Sequence, residues 1–175
     1  MRLSLLLLVP VVLAACNKAE PMTGAVLPGG RIATAQLLTA SGAPAGRAVA
    51  TEVAGGVRVT LDVRNVPAGT HGAHVHTVGR CDAPGFESAG PHWNPAASKH
   101  GTMNPQGPHA GDLPNLLVGN DGRGTLGVTL AGATLGGMLD GDGGAVVVHA
   151  TADDLMTDPS GNSGGRIACG VFAPA

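Results

Sequence analysis

The sequence predicts an all-β domain made of about eight short antiparallel strands. Short runs that alternate apolar and polar residues recur along the chain, and turns rich in glycine or proline separate them. The 29 glycines and 13 prolines among 175 residues disfavour long helices. No stretch with helical periodicity competes with the alternating runs. Many short strands joined by such turns are typical of an antiparallel sandwich or barrel.

The predicted strands begin at residue 32 and continue almost to the end of the chain. Val57–Val63 has the clearest period of two, and Gly55-Gly56 before it is typical of a two-residue hairpin turn. Turn residues at Ser41–Gly46 separate the first two strands. The eight predicted strands are Ile32–Leu38, Arg47–Val53, Val57–Val63, Ala73–Val78, Leu116–Val118, Thr125–Leu130, Ala145–His149 and Arg166–Phe172.

Two long segments, Gly79–Pro114 and Thr151–Gly165, interrupt this series of strands. Loops longer than about 12–15 residues in a compact domain are usually either functional or disordered. The first segment holds three of the seven histidines. We therefore predict two functional loops.

The charge balance restricts the partners of the chain. Ten Lys and Arg against twelve Asp and Glu give a formal net charge of −2, and 13% of the residues are charged. A chain with so little charge and a mean hydropathy of +0.21 is unlike a disordered protein. Without an excess of basic residues, no binding to nucleic acid is expected. The length fits one domain.

The first sixteen residues are typical of an export signal. Arg2 precedes the apolar stretch Leu5–Leu13, which is shorter than the roughly 20 residues that span a bilayer. The following Ala14-Ala15-Cys16 completes a sequence that resembles a bacterial lipobox, in which Cys16 becomes the lipidated first residue. Ordinary cleavage nearby, which leaves a free Cys16, is the alternative.

We therefore expect a signal peptide at residues 1–15, a lipidated N-terminus and flexible tether at 16–30, and a single domain at 31–175. The protein is predicted to be exported and anchored to a bacterial membrane through Cys16, facing the periplasm or the cell exterior. Removal of Arg2 with the signal peptide makes the formal charge −3. Cys81 and Cys169, an even pair in an exported protein, predict one structural disulfide.

The histidines suggest metal binding. His74 and His76 lie two residues apart on a predicted strand, so both side chains share one face, whereas His71 has the opposite parity. His149 ends an apolar strand, where a lone histidine is more often a hydrogen-bonded core residue. The first long loop contributes His92, His100, His109 and Asp112; three imidazoles and one carboxylate suit a tetrahedral zinc ion. The alternative is a solvated, histidine-rich surface loop.

Four motifs in order resemble those of the copper-zinc superoxide dismutases. The similarity extends from about Ile32 to Phe172. The motifs are His71-Gly72-Ala73-His74-Val75-His76, Gly90-Pro91-His92-Trp93-Asn94-Pro95, Gly111-Asp112-Leu113-Pro114-Asn115, and the segment from Gly161 to Val171 with the sequence GNSGGRIACGV.

This resemblance implies an eight-stranded antiparallel Greek-key barrel, an immunoglobulin-like sandwich, and assigns roles to its residues. His92 would bridge the two metals. Asp153 would hydrogen-bond His74 and His100, His71 would support the region without binding metal, and Cys81–Cys169 would match the family disulfide. The implied copper ligands are His74, His76, His92 and His149, and the implied zinc ligands are His92, His100, His109 and Asp112.

The implied activity is the conversion of superoxide to oxygen and hydrogen peroxide by copper redox cycling, protecting the cell envelope from superoxide. Zinc has no accessible redox state and would be structural. His92 would donate a proton, and Arg166 would dock the anionic substrate, with Lys99 and Arg80 as further cations. An ion pair between Arg166 and an aspartate of the second loop is the alternative for that residue.

Three further expectations follow. A non-enzymatic copper- or zinc-binding protein that buffers or delivers metal is the alternative function. A zinc hydrolase is disfavoured because four protein ligands leave no open coordination position. A homodimer is a possible assembly.

Overall fold

A computed structural model describes residues 30–175. The predicted signal peptide and nearly all of the predicted tether lie outside these residues. Within them, no helix has the length and apolar character needed to cross a membrane. The described residues form ten strands, one short α-helix and one 3-10 turn at Glu87–Ala89. The strands and the α-helix are β1 (Ile32–Thr39), β2 (Pro44–Val53), β3 (Gly56–Val63), β4 (Gly69–His71), β5 (Ala73–His76), β6 (Leu116–Val118), β7 (Gly124–Ala131), α1 (Leu135–Met138), β8 (Ala145–His149), β9 (Arg166–Val171) and β10 (Ala173–Pro174).

Eight of the strands form one antiparallel sheet. Its order is β5-β8-β9-β1-β2-β3-β7, with β10 paired to β1, and a second antiparallel sheet joins β4 to β6. The predicted antiparallel β architecture is confirmed. All eight predicted strands are present, and the structure adds β4, β10 and α1.

The start of β2 differs from the prediction. This strand begins at Pro44 inside the predicted turn, because Pro44 and Gly46 pair with Leu38 and Leu37 and leave Ala45 between them as the extra residue of a bulge in β2. Gly46 has a φ of 127°, and a Cβ atom there would lie 2.1 Å from the carbonyl oxygen of Asp62. Only glycine lets β2 and β3 approach this closely.

The core lies on one face of the sheet. In β3, Val57, Val59, Leu61 and Val63 are buried, while the residues between them are partly exposed, as the period of two predicts. In β5 and β8 every residue is buried. Their second face is covered because the two long connections, residues 77–115 (the first loop) and 150–165 (the second loop), pack over it.

Candidate metal centre

Strand parity places three histidines together on the covered face of β5 and β8. Val75 on β5 and Val148 on β8 point into the core, so their neighbours His74, His76 and His149 point away from it. In the antiparallel register His74 lies opposite Val147, two residues before His149. The loops then exclude water, and none of these three imidazoles is more than 4% exposed.

The first loop runs back along the free edge of β5 and brings two more ligand candidates to it. The backbone N–H of Trp93 donates to the carbonyl of Val75 at 2.8 Å, and the N–H of Val75 donates to Gly111 at 2.9 Å. His92 and Asp112 are neighbours of these bonded residues. They therefore lie beside His76 and His74 respectively.

Four imidazole nitrogens converge in a first group. They are buried, and none has a hydrogen-bond partner among the described residues. Four unpaired nitrogens in one place would be costly in a metal-free core, whereas a tetragonal set of nitrogens is a favoured site for copper. The ligand atoms of this group lie within 4.8 Å of one another. The four atoms are His74 Nδ1, His76 Nε2, His92 Nε2 and His149 Nε2.

The other nitrogens of three of these rings are held by hydrogen bonds. His76 Nδ1 donates to the carbonyl of Gly90 at 2.8 Å, and His149 Nδ1 donates to Gly164 at 3.1 Å. His74 Nε2 donates to a carboxylate oxygen of Asp153 at 2.6 Å. These contacts fix the tautomer and leave the opposite nitrogen free as a ligand atom.

A second group surrounds one oxygen of Asp112. The Nδ1 atoms of His92, His100 and His109 lie 3.0, 3.1 and 3.3 Å from Asp112 Oδ1. The Nδ1 atoms of His92 and His109 are 3.4 Å apart. Four ligands at about 2.0 Å from a tetrahedral zinc ion would be separated by about 3.3 Å. The observed spacings therefore fit zinc.

His92 belongs to both groups through its two ring nitrogens. Its ring is stacked on that of His74, with centroids 3.9 Å apart. His74 is also close to the second group, but Asp153 occupies its Nε2, and its free Nδ1 belongs with the first group. A single imidazole thus separates the two candidate metal positions.

Asp153 of the second loop is in neither group but hydrogen-bonds to one histidine of each. Its carboxylate accepts from His74 Nε2 and, through the other oxygen, from His100 Nε2 at 3.0 Å. The amide of Asn115 clamps the backbone of Asp153 by donating to its carbonyl and accepting from its N–H, both at 2.8 Å. Gly161 leaves room for this carboxylate, since a Cβ atom there would overlap Asp153 Oδ1.

Burial keeps the histidines of the first group neutral. Desolvation lowers the pKa of His74 to about 3, that of His76 to about 2 and that of His149 to about 4, although hydrogen bonds partly oppose the effect. For Asp112 and Asp153, burial raises the pKa, but hydrogen bonds from histidine rings and from backbone N–H groups, together with nearby histidine charges, outweigh it and hold each pKa at about 2. At neutral pH His74, His76 and His149 are therefore neutral and both carboxylates are ionised, the protonation states that bind metal.

Arg166 lies at the wall of a cavity of about 430 Å³ above the first group. His76, His92 and His149 line this cavity. Arg166 pairs with His149 across β8 and β9, and its guanidinium donates to the carbonyls of Phe86 at 2.7 Å and Gly90 at 2.8 Å. Its side chain keeps 16% exposure. The cavity can therefore admit a small anion to a fixed positive charge.

The alternative for Arg166, an ion pair with an aspartate of the second loop, is not what the structure shows. The carboxylate paired with it is Glu87 of the first loop, at 3.8 Å. The two further predicted cations are both paired with carboxylates: Lys99 donates to Asp158 at 3.0 Å, and Arg80 bonds Asp82. Their charges are largely offset, which weakens their predicted part in attracting substrate.

His71 lies outside both groups. Its Nδ1 is 2.8 Å from the carbonyl of His149 and its Nε2 is 2.9 Å from that of Pro67. The ring therefore bridges the end of β8 to the turn before β4. This position suits the supporting role that the resemblance implies.

Cys81 and Cys169 form the predicted disulfide. The bond joins the first loop to β9, which carries Arg166 three residues before Cys169. Phe86 and Ala89 pack beside it, against Val147 on the covered face of β8. The disulfide therefore fixes the segment whose carbonyls hold Arg166.

Three functional features escape prediction from the sequence. They are Glu87 in the cavity wall, Asn115 with its hydrogen bonds to Asp153, and the carbonyl of Gly90. Their positions depend on the path of the first loop, and no periodic sequence pattern indicates that path. A signal did exist for Asn115, because a carboxamide directly after Asp112-Leu113-Pro114 ends the loop next to the predicted zinc ligands.

These features define a β-sheet metalloprotein with two adjoining groups of metal-binding side chains beneath a cationic cavity. The sequence pattern of the copper/zinc superoxide dismutase (SODC) family matches residues 45–172. The Cu-Zn superoxide dismutase of Caulobacter vibrioides is 43% identical over 149 residues, which cover 80% of this chain and 84% of the relative. Cu-Zn superoxide dismutase 1 of Aquifex aeolicus is 39% identical over 143 residues, covering 78% and 85%.

A solved structure gives the same result. The crystal structure of a SOD-like protein from Bacillus subtilis matches with a TM-score of 0.76 and 39% identity, covering 80% of this chain and 97% of that one. The chain belongs to the copper/zinc superoxide dismutase family. It is an oxidoreductase that acts on superoxide with copper and zinc as cofactors.

Proposed function

We propose that this chain removes superoxide outside the cytoplasm and protects the cell envelope, anchored to the membrane by a lipid on Cys16 after removal of residues 1–15. We also propose that the sheet closes into an eight-stranded Greek-key barrel. The predicted homodimer stays a prediction. The observation that carries the proposal is the convergence of four unpartnered buried imidazole nitrogens below the Arg166 cavity.

We assign His74, His76, His92 and His149 to copper, and His92, His100, His109 and Asp112 to zinc. Copper, when bound, supplies the one-electron redox chemistry by which two superoxide ions become oxygen and hydrogen peroxide. Zinc is redox-inert, so the second group serves to hold the first loop against β5. Asp153 orients His74 for one metal and His100 for the other.

The protein's own residues bind the substrate and deliver protons. The Arg166 guanidinium is locked by two backbone carbonyls, so it offers a preorganised positive charge to an anion in the cavity. His92 faces the same cavity, and its Nε2 has no hydrogen-bond partner among residues 30–175. Whenever copper does not hold this nitrogen, it would be free to carry a proton and pass it to the reduced product.

The activity is tested on the full chain, purified and loaded with copper and zinc. Superoxide removal should require copper and should withstand the loss of zinc better than the loss of copper. A protein that buffers or delivers metal would bind both ions without removing superoxide, and that result would refute the proposal. The burial of the ligands beneath two packed loops disfavours this alternative, because delivery needs accessible ligands.

The location is tested separately by expressing the full chain with its own leader. Recovery in the membrane fraction, with a mass that shows a lipidated Cys16 as the first residue, is expected. A Cys16→Ser variant should lose the lipid. A cytoplasmic, unprocessed chain would contradict this part of the proposal and leave the activity untouched.

Replacement of Arg166 by glutamine is expected to slow superoxide removal about tenfold at low ionic strength, because the anion loses its attraction at the cavity. The salt dependence of the rate should weaken as well. Arg58→Gln is the matched control, since it removes the same charge from the surface of β3. Equal rates for both variants would remove Arg166 from the mechanism.

Replacement of Glu87 by glutamine is expected to accelerate superoxide removal by up to about fivefold at low salt. Its carboxylate lies 3.8 Å from Arg166 in the wall of the cavity, where it repels an incoming anion. The side chain is 85% exposed, so salt should abolish the difference. Asp121→Asn, which removes a carboxylate from the turn before β7, should leave the rate unchanged. A slower Glu87→Gln variant would show that the carboxylate positions Arg166 instead.

A further inference from the structure

Four basic residues lie on or beside strands other than β5 and β8, the strands that carry histidines of the first group. Of the eight Lys and Arg side chains in residues 30–175, three are paired with carboxylates in ion pairs of 3.0 Å or less and Arg166 lines the cavity. The other four, which we call the arginine surface, are all on or beside strands β2, β3 and β7. They are Arg47, Arg58, Arg64 and Arg123.

The sheet register explains how these residues meet. On the outer face of the sheet, Gln36, Arg47, Asp62 and Thr125 form one row across β1, β2, β3 and β7. Val63 pairs with Gly124, so Arg64 and Arg123 stand next to each other where β3 ends and β7 begins. The close approach of β2 at Gly46 completes a cavity of about 210 Å³ lined by Arg47, Arg64 and Arg123.

Carboxylates do not balance this surface. Asp62 is 4.0 Å from Arg47, and both side chains are about half exposed, so the pair is weak. Asp121 accepts a hydrogen bond from the backbone N–H of Arg123 and is in no ion pair within residues 30–175. The four arginines and these two aspartates give a local charge of +2, whereas residues 30–175 together carry −3. Like charges at neighbouring strand positions repel each other unless an anion lies between them.

The path of the chain places this surface near the predicted membrane anchor. Gln36 is four residues along β1 from Ile32, a distance of about 13 Å. The chain between Cys16 and Gly30 could span at most about 45 Å if fully extended. The arginine surface can therefore reach the headgroups of the membrane to which Cys16 would be attached.

We propose that the arginine surface docks the domain on the negatively charged headgroups of a lipid bilayer, with one headgroup phosphate in the cavity between Arg47, Arg64 and Arg123. Guanidinium groups bind phosphate oxygens in a bidentate manner, and three of them line this cavity against the single carboxylate of Asp62. No residue that lines the cavity above the metal centre also lines the cavity between the arginines, so a headgroup bound there leaves the metal-centre cavity unfilled.

Hydrogen exchange of the full chain, processed from its own leader and placed in lipid vesicles, tests this proposal. On phosphatidylglycerol vesicles, amides of residues 45–47, 62–66 and 119–124 should exchange up to about thirtyfold more slowly than on phosphatidylcholine, given the attraction of two net charges to an anionic surface. High salt should remove the difference. Equal exchange on both lipids would overturn the proposal.

Matched variants separate this surface from general charge effects. Arg64→Gln and Arg123→Gln should each reduce the protection about fivefold, whereas Arg80→Gln, which removes the same charge elsewhere, should not. If inorganic phosphate alone protects the same amides in detergent solution to the same extent, the site binds free anions and the membrane proposal fails. Superoxide removal is measured on the same samples. If superoxide removal is intact but the amides are not protected on phosphatidylglycerol, the docking proposal fails and the proposed function stands. If the amides are protected but superoxide is not removed, the proposed function fails and the docking proposal stands.

Discussion

Replacement of His92 by glutamine is expected to empty both metal positions and to abolish superoxide removal. The Nε2 of His92 belongs to the first group and its Nδ1 lies 3.0 Å from Asp112 in the second. Among residues 30–175 the ring of His74 is also close to both groups, but Asp153 holds its Nε2 and only its Nδ1 is free. Residues that only orient a ligand already contribute 10–100-fold to metal affinity or activity, so the loss should exceed that range for both metals.

Two matched variants make this expectation specific. His109→Gln should release zinc and retain copper, and His149→Gln should release copper and retain zinc. The metal content of each variant is measured by atomic absorption, and folding is followed by circular dichroism. If His92→Gln retained either metal at the level of the unmodified protein, the shared position of this imidazole would be wrong.

Removal of the disulfide by Cys81→Ser is expected to lower the free energy of unfolding of the metal-free protein by about 4 kcal/mol. The bond closes a loop of 88 residues, and a cross-link of that length restricts the unfolded chain strongly. Chemical denaturation of the oxidised protein and of the variant measures the difference. Reduction of the bond in the unmodified protein is the control: it should lower the free energy of unfolding by a similar amount, which assigns the effect to the cross-link and not to the serine side chain.

The same substitution should also slow the loaded enzyme. Phe86 and Ala89 pack beside the disulfide, and the adjoining carbonyls of Phe86 and Gly90 hold the Arg166 guanidinium. Without the covalent link, this segment is freer to leave β9 and Arg166 loses its fixed position. A variant with full activity at low salt and undiminished stability would show that the zinc group alone fixes the first loop.

Much of the fold could be predicted because strand periodicity is a local property. The alternation in Val57–Val63 appears in the structure as an alternation of buried and exposed side chains. The start of β2 was predicted wrongly, since Pro44 and Gly46 are turn residues that pair with β1 on either side of a bulge at Ala45 in β2. The turn propensity of these two residues gives no indication of their pairing with β1.

Only part of the candidate site could be predicted from the sequence. The pair His74 and His76 follows from parity alone, whereas the placement of His92 and Asp112 next to them depends on backbone bonds between the first loop and β5. The repulsive Glu87 and the neutralisation of Lys99 by Asp158 depend on side-chain positions across loops. Such long-range pairings cannot be deduced from one sequence by spacing.

The carbonyl oxygen of Gly90 accepts from both His76 Nδ1 and the Arg166 guanidinium, each at 2.8 Å. A single backbone atom therefore positions both the proposed copper ligand His76 and the charge of Arg166 that we propose receives the substrate. When the surrounding segment fluctuates, both groups are carried along with it, and their mutual alignment survives. Greater motion of this loop, for example on heating, should consequently change the rate at which superoxide enters the cavity. It should have much less effect on the position of Arg166 relative to His76.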